Sequence, residues 1–441
     1  MGKGIKTAFA CLVAINSIAA SAMEATGSIR IRYEHSASLQ SDDFIRDGDA
    51  AHSIVSVRPD VSLYMPGGQW ELRAAPNISY DAAYSRESIY DGTDAEDAST
   101  DVDWRDTYIG YRGTGNFIRA GRQVVSWGTM DGLRLANRIN PINLERYLVP
   151  YLYDYEEGVE HVSAISWESL GSQGALQVVV VPEYRKSALP PKSNRFSPYY
   201  AYRNFAIAAD DKPGATEAEY GFRYQHLLGN NEWSFYFWKG YPDVPALKAG
   251  LDQEGEIAEL AYHYARESYL GLSYSGVWGY KVVRAEVGVL RDSAFKMDVA
   301  HAGTPESIDL FNARGGLLSG NRYLAAMGVE TELWSPATRL ILQYYHEQRE
   351  ELGFPLYTER RQNALTLAFT QPLGDYDRYE LRLDGQYWLH DHSHLVRAGF
   401  TDRFAQNWLW NLELLQLRGE PQTNFGRYGH VQYTFRLQYE M

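Results

Sequence analysis

From Val431 to Met441 the chain places a large apolar residue at every second position. Val431, Tyr433, Phe435, Leu437, Tyr439 and Met441 alternate with Gln432, Thr434, Arg436, Gln438 and Glu440. A β-strand sends successive side chains to opposite faces, so this pattern gives one fully apolar face and one fully polar face. A strand on a soluble core rarely carries bulky apolar groups outward as far as its last residue. A strand with lipid on one side and water on the other requires that division.

The same rhythm recurs along the chain. Ile29, Ile31 and Tyr33 alternate with Arg30, Arg32 and Glu34. Tyr220, Phe222 and Tyr224 alternate with Gly221, Arg223 and Gln225. Val283 to Val289 alternates with Arg284 and Glu286, and Tyr379 to Tyr387 with Glu380, Arg382 and Asp384. A packed sandwich core could not hold so many charges on its inner faces; a water-filled lumen can. The mean hydropathy of -0.41 fits, because half of every barrel strand faces water. The chain's 34 Tyr and 11 Trp suit a membrane–water interface, where a ring and a polar tip both find partners.

The expected fold is therefore all-β, a transmembrane antiparallel barrel with short periplasmic turns and long extracellular loops. Segments 65–68, 113–116, 229–231 and 335–337 read as tight turns on one side. Segments 35–52, 84–101, 126–157, 185–216, 291–320 and 348–361 read as long connections on the other. Single-chain bacterial barrels have even strand numbers. Both sets keep their sides if 256–265 and 268–277 form one long strand, which predicts eighteen strands. At the N-terminus, Lys3 and Lys6 precede an apolar run and Ala20-Ser21-Ala22, the pattern of a secretory leader over 1–22. That places the barrel at 23–441 and the chain in the outer membrane of a Gram-negative cell. The single cysteine, Cys11, falls in the leader, so no disulfide or thiol chemistry is expected.

One stretch, 117–160, leaves the strand rhythm for about thirty residues. It is too apolar for a loose external loop, with Leu133, Leu135, Ile139, Ile142, Leu144 and Leu148. It reads either as a segment folded against the wall or into the barrel, or as a loop sealing the rim. In the inward case Arg119, Arg122, Asp131, Arg134, Arg138 and Arg146 form the pore constriction, with Arg134 and Arg138 at its narrowest point. The expected lumen lining includes Arg30, Arg32, Arg223, Arg284, Glu286, Arg382, Asp384 and Arg436. Lumen charges of both signs are nearly balanced, so they should pair across adjacent strands and leave little net field.

Gly121-Arg122-Gln123, Trp127-Gly128, Asp131-Gly132, Asn140-Pro141 and Glu145-Arg146 resemble the signature of a proteobacterial porin-like outer-membrane family of unknown function. This chain has Asn137 and Asn143 where such proteins often carry Asp. The resemblance implies a passage for small or amphiphilic molecules and supplies no catalytic residues. The hydrophobic terminal strand also resembles the C-terminal signal read by the barrel assembly machinery, with Met441 where Phe is usual.

The formal net charge is -14, and losing Lys3 and Lys6 lowers it by two, so no nucleic-acid partner is expected. Outer-membrane lipid and lipopolysaccharide are the expected surroundings. The acidic residues of 42–49 and 91–103 read as a solvated rim. His390-Asp391-His392-Ser393-His394 is the one histidine cluster and reads as a polar turn. No cofactor, metal site or enzymatic activity is expected. The expected function is a porin-like channel for small polar or amphiphilic solutes; the alternative is a component of lipid or hydrophobic-compound transport.

Overall fold

The computed structural model describes residues 24–39, 50–86, 99–145, 155–192, 197–208, 213–214, 217–301, 303–420, 423, 425 and 431–441. The leader over 1–22, most of the acidic rim and Arg146 lie outside them. Twenty strand segments form one antiparallel sheet. Two strands are each interrupted once, Trp70–Ala74 from Pro76–Asp81 and Thr100–Trp104 from Thr107–Gly113, so the wall has eighteen strands. Glu24–Ser38 pairs with Val431–Glu440 over nine residue pairs, Arg30 opposite Glu440 and Ser38 opposite Gln432. Ile29 and Met441 exchange backbone hydrogen bonds of 2.8 and 3.1 Å at the seam. The sheet is thus a closed barrel, the arrangement that leaves no strand edge to be satisfied by lipid.

Burial is inverted relative to a soluble protein. On Glu24–Ser38 the polar residues Arg32, Glu34 and Ser36 are buried while Ile31 and Tyr33 are exposed. On the last strand Gln432, Thr434 and Gln438 are buried and the intervening apolar residues face outward. Val55, Ile109, Ile165, Phe235, Met327, Leu342 and Leu412 continue the exposed apolar belt around the wall. Only lipid makes that exposure favourable.

The inward charges pair largely between neighbouring strands. Arg436 donates to Glu34 at 2.5 Å, Arg397 to Asp384 at 2.7 Å, and Arg284 to Glu330 at 2.6 Å. Arg30 bonds Glu440 through two nitrogens at 3.0 and 3.1 Å.

One expectation is corrected. Segment 256–265 does not extend the barrel strand over 268–277. Ile257–His263 instead pairs with Ala246–Leu251 and Ile207–Ala208 in a separate three-stranded sheet. A two-stranded ribbon protruding into water would have no face to bury. Here Leu251 packs with Met297, Phe311 and Leu318, and Ile257 joins them. The wall strand is Glu267–Trp278 alone, held between Asn231–Gly240 and Lys281–Lys296, so the count stays at eighteen.

Candidate functional site

The strand Asn116–Gln123 ends where the chain turns into the barrel. Just before that end Gly121 brings the strand close to its neighbour: its φ is +137°, and a Cβ there would lie 2.4 Å from the Thr107 carbonyl oxygen and 2.7 Å from the Tyr108 Cα. Only glycine tolerates both the dihedral and the approach. Gln123 then donates to the Ala164 carbonyl at 2.9 Å and accepts from Ser166 at 2.7 Å, tying the turn to the next wall strand.

Beyond Gln123 the segment packs on the inner wall. Val125, Trp127, Met130, Leu133, Leu135, Ala136 and Ile139 form one buried cluster with inward residues of strands from Val162 to Ala326, including Val179, Tyr236, Trp238, Tyr269 and Leu290. Each large side chain buried there contributes roughly 1.5–3 kcal/mol. The backbone of the segment is satisfied by two asparagines. Asn137 Oδ1 accepts from the amides of Trp127 (2.6 Å) and Gly128 (2.8 Å). Asn140 Oδ1 accepts from Val125 (2.7 Å), while its Nδ2 donates to the carbonyls of Gln123 (3.1 Å) and Glu160 (2.8 Å). Asn140 thereby joins both ends of the segment. Wall groups complete the docking. The Glu286 carboxylate accepts from the amides of Ala136 (2.6 Å) and Thr129 (3.1 Å). Tyr236 donates to the Trp127 carbonyl at 2.9 Å, and Gln343 exchanges two hydrogen bonds with the Asp131 backbone.

The sequence candidates separate into distinct roles. Arg134 is turned into the segment: it pairs with Asp243 and donates to the carbonyls of Asn137 (2.8 Å) and Asn140 (2.6 Å). Arg138 donates to the Leu135 carbonyl at 2.8 Å and lies over the Tyr269 ring. Burial, with Arg322 and Arg134 nearby, lowers its pKa. Arg119 lies over the Phe117 and Tyr108 rings in the wall, and Arg122 donates to Asp103 and to the His161 carbonyl, both at 3.2 Å. Asp131 keeps its carboxylate more than half exposed, 3.5 Å from Arg284. Among the expected lumen residues, Arg382 is 3.0 Å from Asp384, Glu286 is an anchor of the segment, and Arg223 sits opposite Tyr236 in register.

The far end of the segment returns through Tyr155–Gly158. There the Glu157 carboxylate faces four arginines, Arg58 at 3.0, Arg32 at 3.3, Arg30 at 3.4 and Arg105 at 3.5 Å. Glu160 bonds Asn143 at 2.6 Å and pairs with Arg185. Burial, with Asp103 and Asp101 nearby, pushes its carboxyl up to about 7. The adjacent His161 is held neutral, its pKa lowered to about 2 by burial and by Arg105, Arg58 and Arg122.

Between the segment and the wall lies a cavity of about 470 Å³. Thr129, Met130, Asp131 and Leu133 line one side, and Arg339, Ile341, Thr370 and Arg382 the other. Arg339 and Arg382 are adjacent through Thr370, which pairs with both. Sequence reading missed Arg339 and Ile341, although their alternation with Leu340 and Leu342 carries the signal. It also missed Arg58 and Arg105, which become neighbours only when the segment folds back. In the histidine turn, His390 packs on Trp388 and His392 meets the Tyr387 hydroxyl at 2.8 Å.

A closed eighteen-strand barrel with an apolar outer belt, a charged interior and one connection folded across its lumen is an integral outer-membrane barrel of the porin-like class. The chain belongs to the family described as "Protein of unknown function (DUF1302)", which matches residues 18–368. No curated protein sequence matches it. Its fold is similar to that of *Acinetobacter baumannii* OccAB3, with a TM-score of 0.54 at 10% identity over 95% of this chain and 99% of that one. It is also similar to *Pseudomonas aeruginosa* OccK2 (TM-score 0.54, 10% identity, 95% and 98% covered) and OccK5 (0.52, 8%, 95% and 98%).

Proposed function

We propose that the barrel is an outer-membrane channel for small polar or amphiphilic solutes. Its narrowest path runs between the inward segment and the wall strands Arg339–Arg349, Arg361–Leu373 and Tyr379–Trp388. The carrying observation is the 470 Å³ cavity, which sets Asp131 on the segment against Arg339 and Arg382 on the wall. About half of the Arg339 and Asp131 side-chain surface stays open to water, so these charges are accessible to a solute in the cavity. Arg134 and Arg138 support the constriction by holding the segment. The apolar side chains of Met130, Leu133, Ile142 and Ile341 line the same space and favour solutes with an apolar part. That lining is also what a conduit for lipids or other hydrophobic compounds would need, the second reading. OccK2 is described in complex with glucuronate, which makes a sugar acid a sensible first solute here.

Single-channel recording of the purified protein in a planar bilayer under a salt gradient tests the reading. Steady open currents are expected, and Arg339→Ala with Arg382→Ala should move the reversal potential toward cations. A silent barrel, or an unchanged reversal potential in the double variant, would overturn it.

A further inference from the structure

The lipid-facing side of the barrel carries a concavity of about 820 Å³ lined almost wholly by apolar surface. It spans the strands from Lys281–Lys296 to His394–Ala405. Met327, Leu342, Tyr344, Leu367 and Val396 form its walls. Its floor is Gly385, which occupies an outward position between Leu367 and Val396 in register. A Cβ at Gly385 would meet only the Leu395 carbonyl oxygen, at 3.9 Å. The missing side chain therefore leaves room rather than relieving a clash.

The long-loop end of the same strands carries a cationic rim. Tyr387 pairs with His394, and His394 with Arg418, along one row of the sheet. One step above, His346 pairs with Asn363 and Gln348 with Arg361. His346 bonds Asn363 at 2.7 Å, and His392 bonds Tyr387 at 2.8 Å. Arg361 donates to Gln348 at 2.9 Å. Neither Arg361 nor Arg418 makes an ion pair among the described residues. The outward positions of these strand ends hold no carboxylate. Glu350, Glu351 and Glu359 lie in the adjoining connection, where Glu351 pairs with Arg360 at 3.2 Å, and Glu420 follows Arg418 just past the end of its strand.

We propose that this face binds lipid A, the acylated and phosphorylated glycolipid of the outer leaflet. An acyl chain lies in the groove over Gly385, and the two phosphates of the glycolipid sit apart, one on Arg361 beside His346 and one on Arg418 beside His394. Three features favour that occupant. The rim is on the side of the long connections, where the outer leaflet lies. Its guanidinium groups, in no ion pair among the described residues, match a phosphate in charge and geometry. The groove beneath is apolar and starts directly below the rim, as the junction of head group and acyl chain demands. This assignment concerns the outer wall and stands apart from what passes through the lumen.

The test titrates the detergent-purified full chain with hexa-acylated diphosphoryl lipid A and counts bound lipid by native mass spectrometry. Phosphatidylglycerol serves as comparison. One tightly held lipid A per barrel is expected. Gly385→Leu, which fills the groove, and Arg361→Ala with Arg418→Ala, which strips the rim, should each weaken it roughly tenfold or more. Retained heat-modifiable migration shows that each variant is folded, and the exposed arginine pair decides should Gly385→Leu misfold. Lipid A held equally by wild type and the arginine variant would overturn the proposal. So would phosphatidylglycerol bound as tightly as lipid A, or barrel dimers that Gly385→Leu abolishes.

Discussion

Asn140→Ala is the sharpest probe of how the lumen is narrowed. The side chain is fully buried and makes three hydrogen bonds to backbone, from the Val125 amide and to the carbonyls of Gln123 and Glu160. Alanine keeps the backbone path but removes all three partners. A buried group left unpaired costs about 1–3 kcal/mol, so the three together cost roughly 3–6 kcal/mol after partial relaxation or entry of water. The loss falls on the segment and not on the wall, whose strands pair through their own ladder. Occasional undocking of 124–145 should follow. Hydrogen exchange should show faster exchange at the amides of Val125, Trp127 and Gly128, and single-channel records should show larger or noisier conductance. Unchanged exchange and conductance in a folded Asn140→Ala barrel would refute the view that asparagine side chains hold the segment in place.

Two further substitutions bear on the same element. Gly121→Ala forces a Cβ against the Thr107 carbonyl at a φ that L-residues avoid, and should cost several kcal/mol; yield of folded, heat-modifiable barrel measures it, and a normal yield would contradict the close approach. Glu160 has its pKa raised from 4.5 to about 7, so its contribution to docking is fully present below about pH 4.5 and is lost as pH rises through 7. The span corresponds to about 3 kcal/mol. Exchange at 124–145 should therefore quicken between pH 5 and 8, after correction for intrinsic rates, and Glu160→Gln should remove that dependence.

The barrel was legible because lipid imposes period-two alternation without relief, to the last residue in Val431–Met441. Ile257–His263 shows the limit of that signal. It reads as a strand, but its apolar residues serve a small separate sheet, and strand propensity cannot distinguish a lipid-facing wall from a local core. The break in rhythm after Gln123 was equally visible, as was the excess of leucine and isoleucine that the inner wall now covers. What could not be read was the direction of each polar side chain. Arg134 finds Asp243 more than a hundred residues away, and Arg339 shares its cavity with Asp131, which is equally remote in the sequence. Asn137 and Asn140 could have been recognised as backbone ligands from their place in a segment without regular structure. Their spacing alone names no partner.

Those placements determine which charges can act on a solute. A guanidinium whose two terminal nitrogens are taken by carbonyls and a carboxylate, as those of Arg134 are, contributes little field to the open space. Glu286 is likewise consumed by two amides of the segment. Along the strands from Val162 to Ala326 the segment packs on apolar inward residues, while the cavity opens on the side lined by Arg339, Thr370 and Arg382. On that side Arg284 and Arg339 share Glu330 at 2.6 Å each, and Arg382 leans on Asp384. Each such pair is partly neutralised yet still open to water, which weakens the pairing energy. On the channel reading proposed above, selectivity would reside in a few half-exposed wall arginines facing Asp131. The arginine-rich motif that stands out in the sequence serves to build the wall opposite them.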